Sequence, residues 1–176
     1  MLVVGADAMK GDKQLSLGSL NAFVENGGRV LVLARSKAPA GLPVKTSLEP
    51  KEWVSQPFVR VGSHPILKGI DSWDLHFWQP DRVSARGSYT KPESGACLPL
   101  VDSGGEFGLE WVQLMEAYRG QGLYLLCQLP LVKAYDAEPM AQVILRRVLD
   151  YLGNQPAYRV PDKTLRLIAA VDAPVR

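Results

Sequence analysis

The apolar positions first fall at helical spacing and then close into an unbroken run. Leu17, Leu20, Phe23 and Val24 recur every three or four residues, which lays one apolar stripe along a helix over residues 14–26. Gly27-Gly28 ends that helix, because glycine takes the left-handed conformation needed just past a helix terminus. Residues 29–34 follow at once as Arg-Val-Leu-Val-Leu-Ala, the pattern of a strand buried on both faces. Residues 2–5 read as an earlier short buried strand and residues 7–13 as a polar loop. The order is strand, helix, parallel strand. In such a sheet the residues after the second strand, Ala34-Arg35-Ser36-Lys37-Ala38, stand where ligands and nucleophiles are usually placed.

The middle of the chain is β-rich. Residues 36–57 carry many prolines, lysines and serines and read as loop with short strands at most. Residues 58–61 alternate like an edge strand, and residues 64–69 form a single helical turn opened by Pro65 and closed by Gly69, with His64 at the surface. Residues 83–89 and 96–101 are strand candidates split by Pro92 and Gly95. Ser103-Gly104-Gly105 reads as a turn, 109–114 as a hairpin strand, and Gly120-Gln-Gly122 leads into the apolar run 123–128.

The last helix opens near Pro139, with Asp136 and Glu138 at the positive end of its dipole. Met140, Val143, Ile144, Val148, Leu149 and Leu152 form its apolar stripe, and Gly153 closes it. Residues 154–163 then read as a linker and 165–171 as a new strand. The division is a domain over residues 1–153 and, over 154–176, a linker with the start of a following element. A buried strand at the very beginning and a late strand with little after it suit a domain cut from a longer polypeptide.

Composition bounds the chemistry. The chain has 176 residues, 47% hydrophobic and 22% charged, enough for one globular domain with a real core. Its net charge of +2, from 20 basic and 18 acidic residues, is too balanced to point to nucleic acid, and Arg146-Arg147 reads as a solvated helix face. No apolar stretch approaches the ~20 residues of a membrane span, and no leader precedes the first strand. Cys97 and Cys127 lie in apolar runs and read as buried free thiols, with a disulfide between them left open. His64 and His76 stand alone without metal-ligand spacing, and Gly5-Ala6-Asp7 lacks the further glycines of a dinucleotide site. Neither a metal nor a cofactor is expected.

Two stretches carry candidate chemistry. Ser36, between Ala34 and Ala38, has the outline of a nucleophile elbow, but a serine hydroxyl needs a positioned base and only His64 and His76 are available. Trp73, Asp74, His76 and Trp78 form the second group, joined by Phe77. Sugar rings stack on tryptophan faces and aspartates bind hydroxyls, so these residues are carbohydrate-contact candidates. The same amphipathic rings equally suit a sheet edge or a domain interface. Asp71, Asp74 and Asp81 crowd within eleven residues of loop, where solvated carboxylates are commoner than a glycosidase pair.

The phrases Phe23-Val-Glu-Asn-Gly-Gly-Arg-Val-Leu-Val-Leu33, His64-Pro-Ile-Leu-Lys-Gly-Ile70, Asp74-Leu75 with Trp78, and Tyr118-Arg-Gly-Gln-Gly-Leu-Tyr-Leu-Leu-Cys-Gln-Leu129, in that order, resemble the class I glutamine amidotransferase-like fold. They look like its non-catalytic version in bacterial glycoside hydrolases, relatives of family 2 and the β-galactosidases. The resemblance covers about residues 1–153. It implies an α/β domain with a flavodoxin-like open parallel sheet flanked by helices, a β-rich insertion, and the family's first strand and helix missing ahead of Met1. Catalytic members of that family carry a cysteine in a glycine-flanked elbow, where this chain has Ser36, and a histidine-glutamate pair before the final helix, where residues 133–138 hold no histidine.

Ammonia transfer is therefore not expected. The resemblance implies a non-catalytic accessory domain of a larger carbohydrate-active enzyme. It would pack on a catalytic domain of the same polypeptide or on a homo-oligomer subunit, with weak sugar contacts, in a periplasmic or secreted parent. The rival readings are a small serine hydrolase using Ser36 and a carbohydrate-binding module using the loop 73–78.

Overall fold

The structure, a computed structural model, describes residues 1–5, 17–39, 41–50, 53–106, 108–154 and 156–158. The expected polar loop 7–13, the first turn of the first helix, and the late strand 165–171 lie outside the described residues.

The first helix, α1 (Leu17–Glu25), buries Leu20 and Val24. Phe23, expected in the same stripe, is instead 41% exposed and lies over Gly28, whose missing side chain makes room for the ring. Gly27 takes φ +91° and ends the helix: Gly28 N–H donates to Phe23 O at 2.9 Å and Gly27 N–H to Val24 O at 3.0 Å.

On either side of α1 run β1 (Leu2–Val4) and β2 (Arg29–Val32), paired in parallel, with Val3 against Leu31. β1 is an edge strand, so Val4 is buried while Val3 is 43% exposed. β2 in turn pairs in parallel with β8 (Gly122–Cys127).

The expected open parallel sheet stops at these three strands. β8 is joined to β7 (Gly108–Arg119) by Gly120-Gln121 alone, with Arg119 opposite Gly122. A parallel crossover needs about a dozen residues, so a two-residue link forces antiparallel pairing. The remaining pairs are antiparallel too. β6 (Cys97–Gly105) lies along one edge of β7 and carries β4 (Phe58–Val59). β5 (Ser88–Thr90) joins the other edge of β7 beyond the end of β8 and carries β3 (Leu48–Glu49). The result is a mixed, open sheet of eight strands among the described residues. Ser103-Gly104-Gly105, expected as a turn, belongs to β6, whose last residue pairs with Gly108.

Alternation places one cluster on each face. Leu31, Leu123, Leu125 and Cys127 face the final helix α2 (Pro139–Asn154), while Val30, Val32, Tyr124 and Leu126 face α1. α2 buries Ala141, Ile144, Val148, Tyr151 and Leu152; Val143 and Leu149, assigned to its stripe from sequence, are 38% exposed, and the helix runs through Gly153 to Asn154. Burying each large side chain contributes about 1.5–3 kcal/mol before ordering entropy is charged. Cys97 and Cys127 are free thiols, so no disulfide links them, and burial pushes the Cys127 thiol up to about 12.

Candidate functional site

Three parallel strands end side by side, and the backbone that leaves them walls a cavity of about 670 Å³. Gly5 comes from the end of β1, Leu33 to Ser36 from β2, and Gln128 to Ala134 from β8; Pro50 and the loop bearing Pro80, Asp81 and Arg86 close the sides. This is the crevice beyond the carboxyl ends of strands where open α/β sheets hold ligands. Leu33 N–H still donates to Val4 O at 3.0 Å, so β2 stays paired up to the residue before the chain turns away. Gln128 is held at the opposite strand by its own N–H donating to Gln113 O at 2.7 Å.

The walls are mostly aliphatic and the floor is polar. Arg35 and Gln128 border the cavity, and the buried Tyr89 phenol lies close to both. Burial pushes the Tyr89 phenol up to about 12, and the neighbouring Gln128 amide and Arg35 charge pull it the other way. Arg35 Nε and Nη1, Gln128 Nε2 and the Tyr89 hydroxyl are enclosed without a hydrogen-bond partner among the described residues. Such orphaned groups are rare in folded proteins and call for an explanation. At the rim, Asp81 pairs with Arg86 at 2.5 Å, and that hydrogen bond and charge hold its carboxyl below the ordinary value. The Arg86 guanidinium also lies 4.9 Å from the centre of the exposed Trp53 ring.

Ser36 sits on the lip of this cavity, exposed. Neither histidine lines it. His64, expected in a surface turn, is fully buried under α2 instead. Its Nε2 stands 3.5 Å from Glu116 Oε1, and its ring packs on Tyr151 and Tyr158 with centroids 4.8 and 4.9 Å away. Consecutive turns, not a helical turn, carry residues 64–70, and Arg147 clamps them by donating to Lys68 O at 2.7 Å. That clamp gives Arg147 a role beyond the solvated face read from sequence.

The aromatic loop divides between surface and core. Trp73 is 78% exposed on a short 3₁₀ turn, Trp73–Leu75, whereas Trp78 is 1% exposed and donates its indole N–H to Asp74 O at 3.1 Å. Trp78 is therefore a core side chain and offers no face to a sugar. His76 is boxed by aromatic rings, with centroids at 5.1 Å to Trp73, 6.0 Å to Phe77 and 6.2 Å to Phe58. Both its ring nitrogens are enclosed, without partners among the described residues. Asp74 Oδ2 accepts from Asp71 N–H at 3.0 Å, and Asp71 Oδ1 from Trp73 N–H at 2.7 Å, so these carboxylates shape the loop. The loop thus leaves Trp73, Phe77 and Phe58 as one exposed aromatic face.

Sequence reasoning missed the donor cluster. Its one signal was position: Arg35 and Gln128 each follow closely on one of two adjacent parallel strands. Tyr89 arrives from the β-rich insertion and carries no sequence mark. Gly5 lines the cavity, while Ala6 and Asp7 of the considered dinucleotide motif lie outside the described residues. Among the described residues no three metal-ligating side chains cluster, and no helix is long and apolar enough to cross a membrane.

No family model matches the chain, and no curated protein matches it in sequence. Solved structures do. The cytoplasmic protein STM3548 from Salmonella typhimurium is similar with a TM-score of 0.51 and 13% identity, over 85% of this chain and 70% of that one. The cold-adapted β-galactosidase from Rahnella sp. R3 gives a TM-score of 0.43 and 12% identity, over 90% of this chain and 22% of that chain. At such identities the first likeness concerns the fold alone.

Proposed function

We propose that this chain is a non-catalytic accessory domain of amidotransferase-like build, packing on a catalytic module or a second subunit of a carbohydrate-active enzyme. The observation that carries the non-catalytic part is the placement of Ser36. It lies at the nucleophile position, while the chain's two histidines sit under α2 and in the aromatic box, so no imidazole is set to take its proton. The exposed face of Phe58, Trp73 and Phe77 supports the packing role, because large aromatic rings are the side chains that interfaces concentrate. The glycoside hydrolase as parent rests on the order of sequence phrases that resemble such enzymes.

The test is covalent labelling with a fluorophosphonate together with turnover of 4-nitrophenyl acetate. The account expects no adduct at Ser36 and equal background rates for the protein and its Ser36→Ala variant. Stoichiometric labelling at Ser36, lost in the variant, would instead establish a serine hydrolase. A second reading, sugar binding at the loop, draws on the exposure of Trp73 alone. Galactose should then quench tryptophan fluorescence in the protein but not in Trp73→Phe.

A further inference from the structure

The unpartnered donors on the cavity's lining residues define what they lack. Arg35 Nε and Nη1 and Gln128 Nε2 are N–H donors on residues that line the cavity, and the geometry gives none of them an acceptor among the described residues. The residues lining the cavity carry three cations, Arg35, Arg86 and Lys133, against one carboxylate, Asp81, which is already paired with Arg86. Above this floor the walls are Leu33, Pro80, Val83, Leu129, Pro130 and Leu131. A cavity of about 670 Å³ falls in the range of small-molecule sites.

We propose that this cavity binds a small organic carboxylate with an apolar body, its carboxylate received by Arg35 and Gln128. The Arg35 guanidinium and the Gln128 amide suit a single negative charge with two acceptor oxygens. An uncharged ligand would leave the guanidinium unpaired, and the apolar walls favour an organic acid over a free phosphate. Arg35 is half-buried at the cavity, with its Nε and Nη1 enclosed. The apolar body takes the place of water against the leucine and proline walls. This proposal stands apart from the accessory role: an accessory domain with or without a ligand, and a hydrolase with or without one, are all distinguishable by experiment.

The test uses the whole chain and the pair 4-phenylbutyrate and 4-phenylbutyramide, which share a body and differ in charge. Calorimetry should show the acid binding at least about tenfold tighter than the amide, because charge-assisted hydrogen bonds are roughly twice as strong as neutral ones. The acid should also shift the Gln128 side-chain amide signals in ¹H–¹⁵N spectra. Arg35→Met should abolish the preference for the acid while leaving amide binding in place, and Gln128→Leu should weaken acid binding several-fold. Equal affinity for acid and amide, no binding of either, or displacement of the acid by an equal concentration of orthophosphate would each overturn the proposal. Should Arg35→Met fail to fold, the comparison of acid with amide on the unmodified protein decides it.

Discussion

Tyr151 on α2 donates its hydroxyl proton to Glu116 Oε1 on β7 at 2.6 Å, joining the final helix to the middle of the sheet. Tyr118 donates to the other Glu116 oxygen, Oε2, and the backbone N–H of Tyr158 reaches back to the Tyr151 hydroxyl at 2.8 Å. Glu116 is fully buried, so its acceptors have no access to water in exchange. Glu116→Ala strands two phenol donors and should destabilise the fold by about 3 kcal/mol or more. Tyr151→Phe removes one partner and should cost about 1–2 kcal/mol. Urea unfolding followed by far-UV dichroism measures both.

The same cluster sets an alkaline limit. Burial, then the charge of Glu116, raises the Tyr118 and Tyr151 phenols above their ordinary value, and burial pushes Tyr89 up to about 12. Unfolded phenols ionise near 10. Between that value and the folded ones the unfolded chain binds fewer protons than the native chain, so stability is intact below about pH 10 and falls as pH rises beyond it. Burial raises the Tyr124 phenol as well, so phenolate absorbance should show Tyr89, Tyr118, Tyr124 and Tyr151 titrating late, and together with unfolding. Ordinary titration of all six in the folded protein would contradict the burial described here.

Gly122 is fixed by what surrounds it. A Cβ there would overlap the carbonyl oxygens of Gly28 and Val24, where the end of α1 meets the start of β8. Leu123 N–H donates to Gly28 O at 3.2 Å and Gln121 N–H to Glu25 O at 3.2 Å, so neither backbone is free to retreat. Gly122→Ala should destabilise by about 3 kcal/mol through overpacking, whereas Gly153→Ala, with open space around its Cα, should be neutral or slightly stabilising. Thermal unfolding of the two variants separates them.

Trp73 and Trp78, five residues apart, should respond oppositely to truncation. Trp78→Ala empties a core position and should cost about 3–5 kcal/mol. Trp73→Ala removes an exposed ring and should leave stability within about 0.5 kcal/mol. If the aromatic face packs on a partner, Trp73→Ala should weaken that association without changing the melting temperature.

These contrasts show where the sequence was legible. The α1–Gly-Gly–β2 unit followed from apolar spacing and glycine chemistry, because both signals are local. The parallel sheet was over-extended, because an apolar run such as residues 123–127 looks alike whether its neighbours run with it or against it. The two-residue link at Gly120-Gln121 is the local signal that β7 and β8 run antiparallel. Trp73 and Trp78 were indistinguishable because exposure is decided by the 3₁₀ turn between them. Arg35 alone carries no mark of a binding site in the sequence, since its partner in the lining, Gln128, comes from a distant segment. His64 read as a surface residue because its partners, Glu116 and Tyr151, lie 52 and 87 positions away.

The sequence of the DNA flanking this reading frame tests the accessory-domain account most directly. The account predicts an open frame that continues into a catalytic module bearing the two carboxylates of a glycosidase. Stop codons bounding the frame at both ends, with no such module attached, would contradict it.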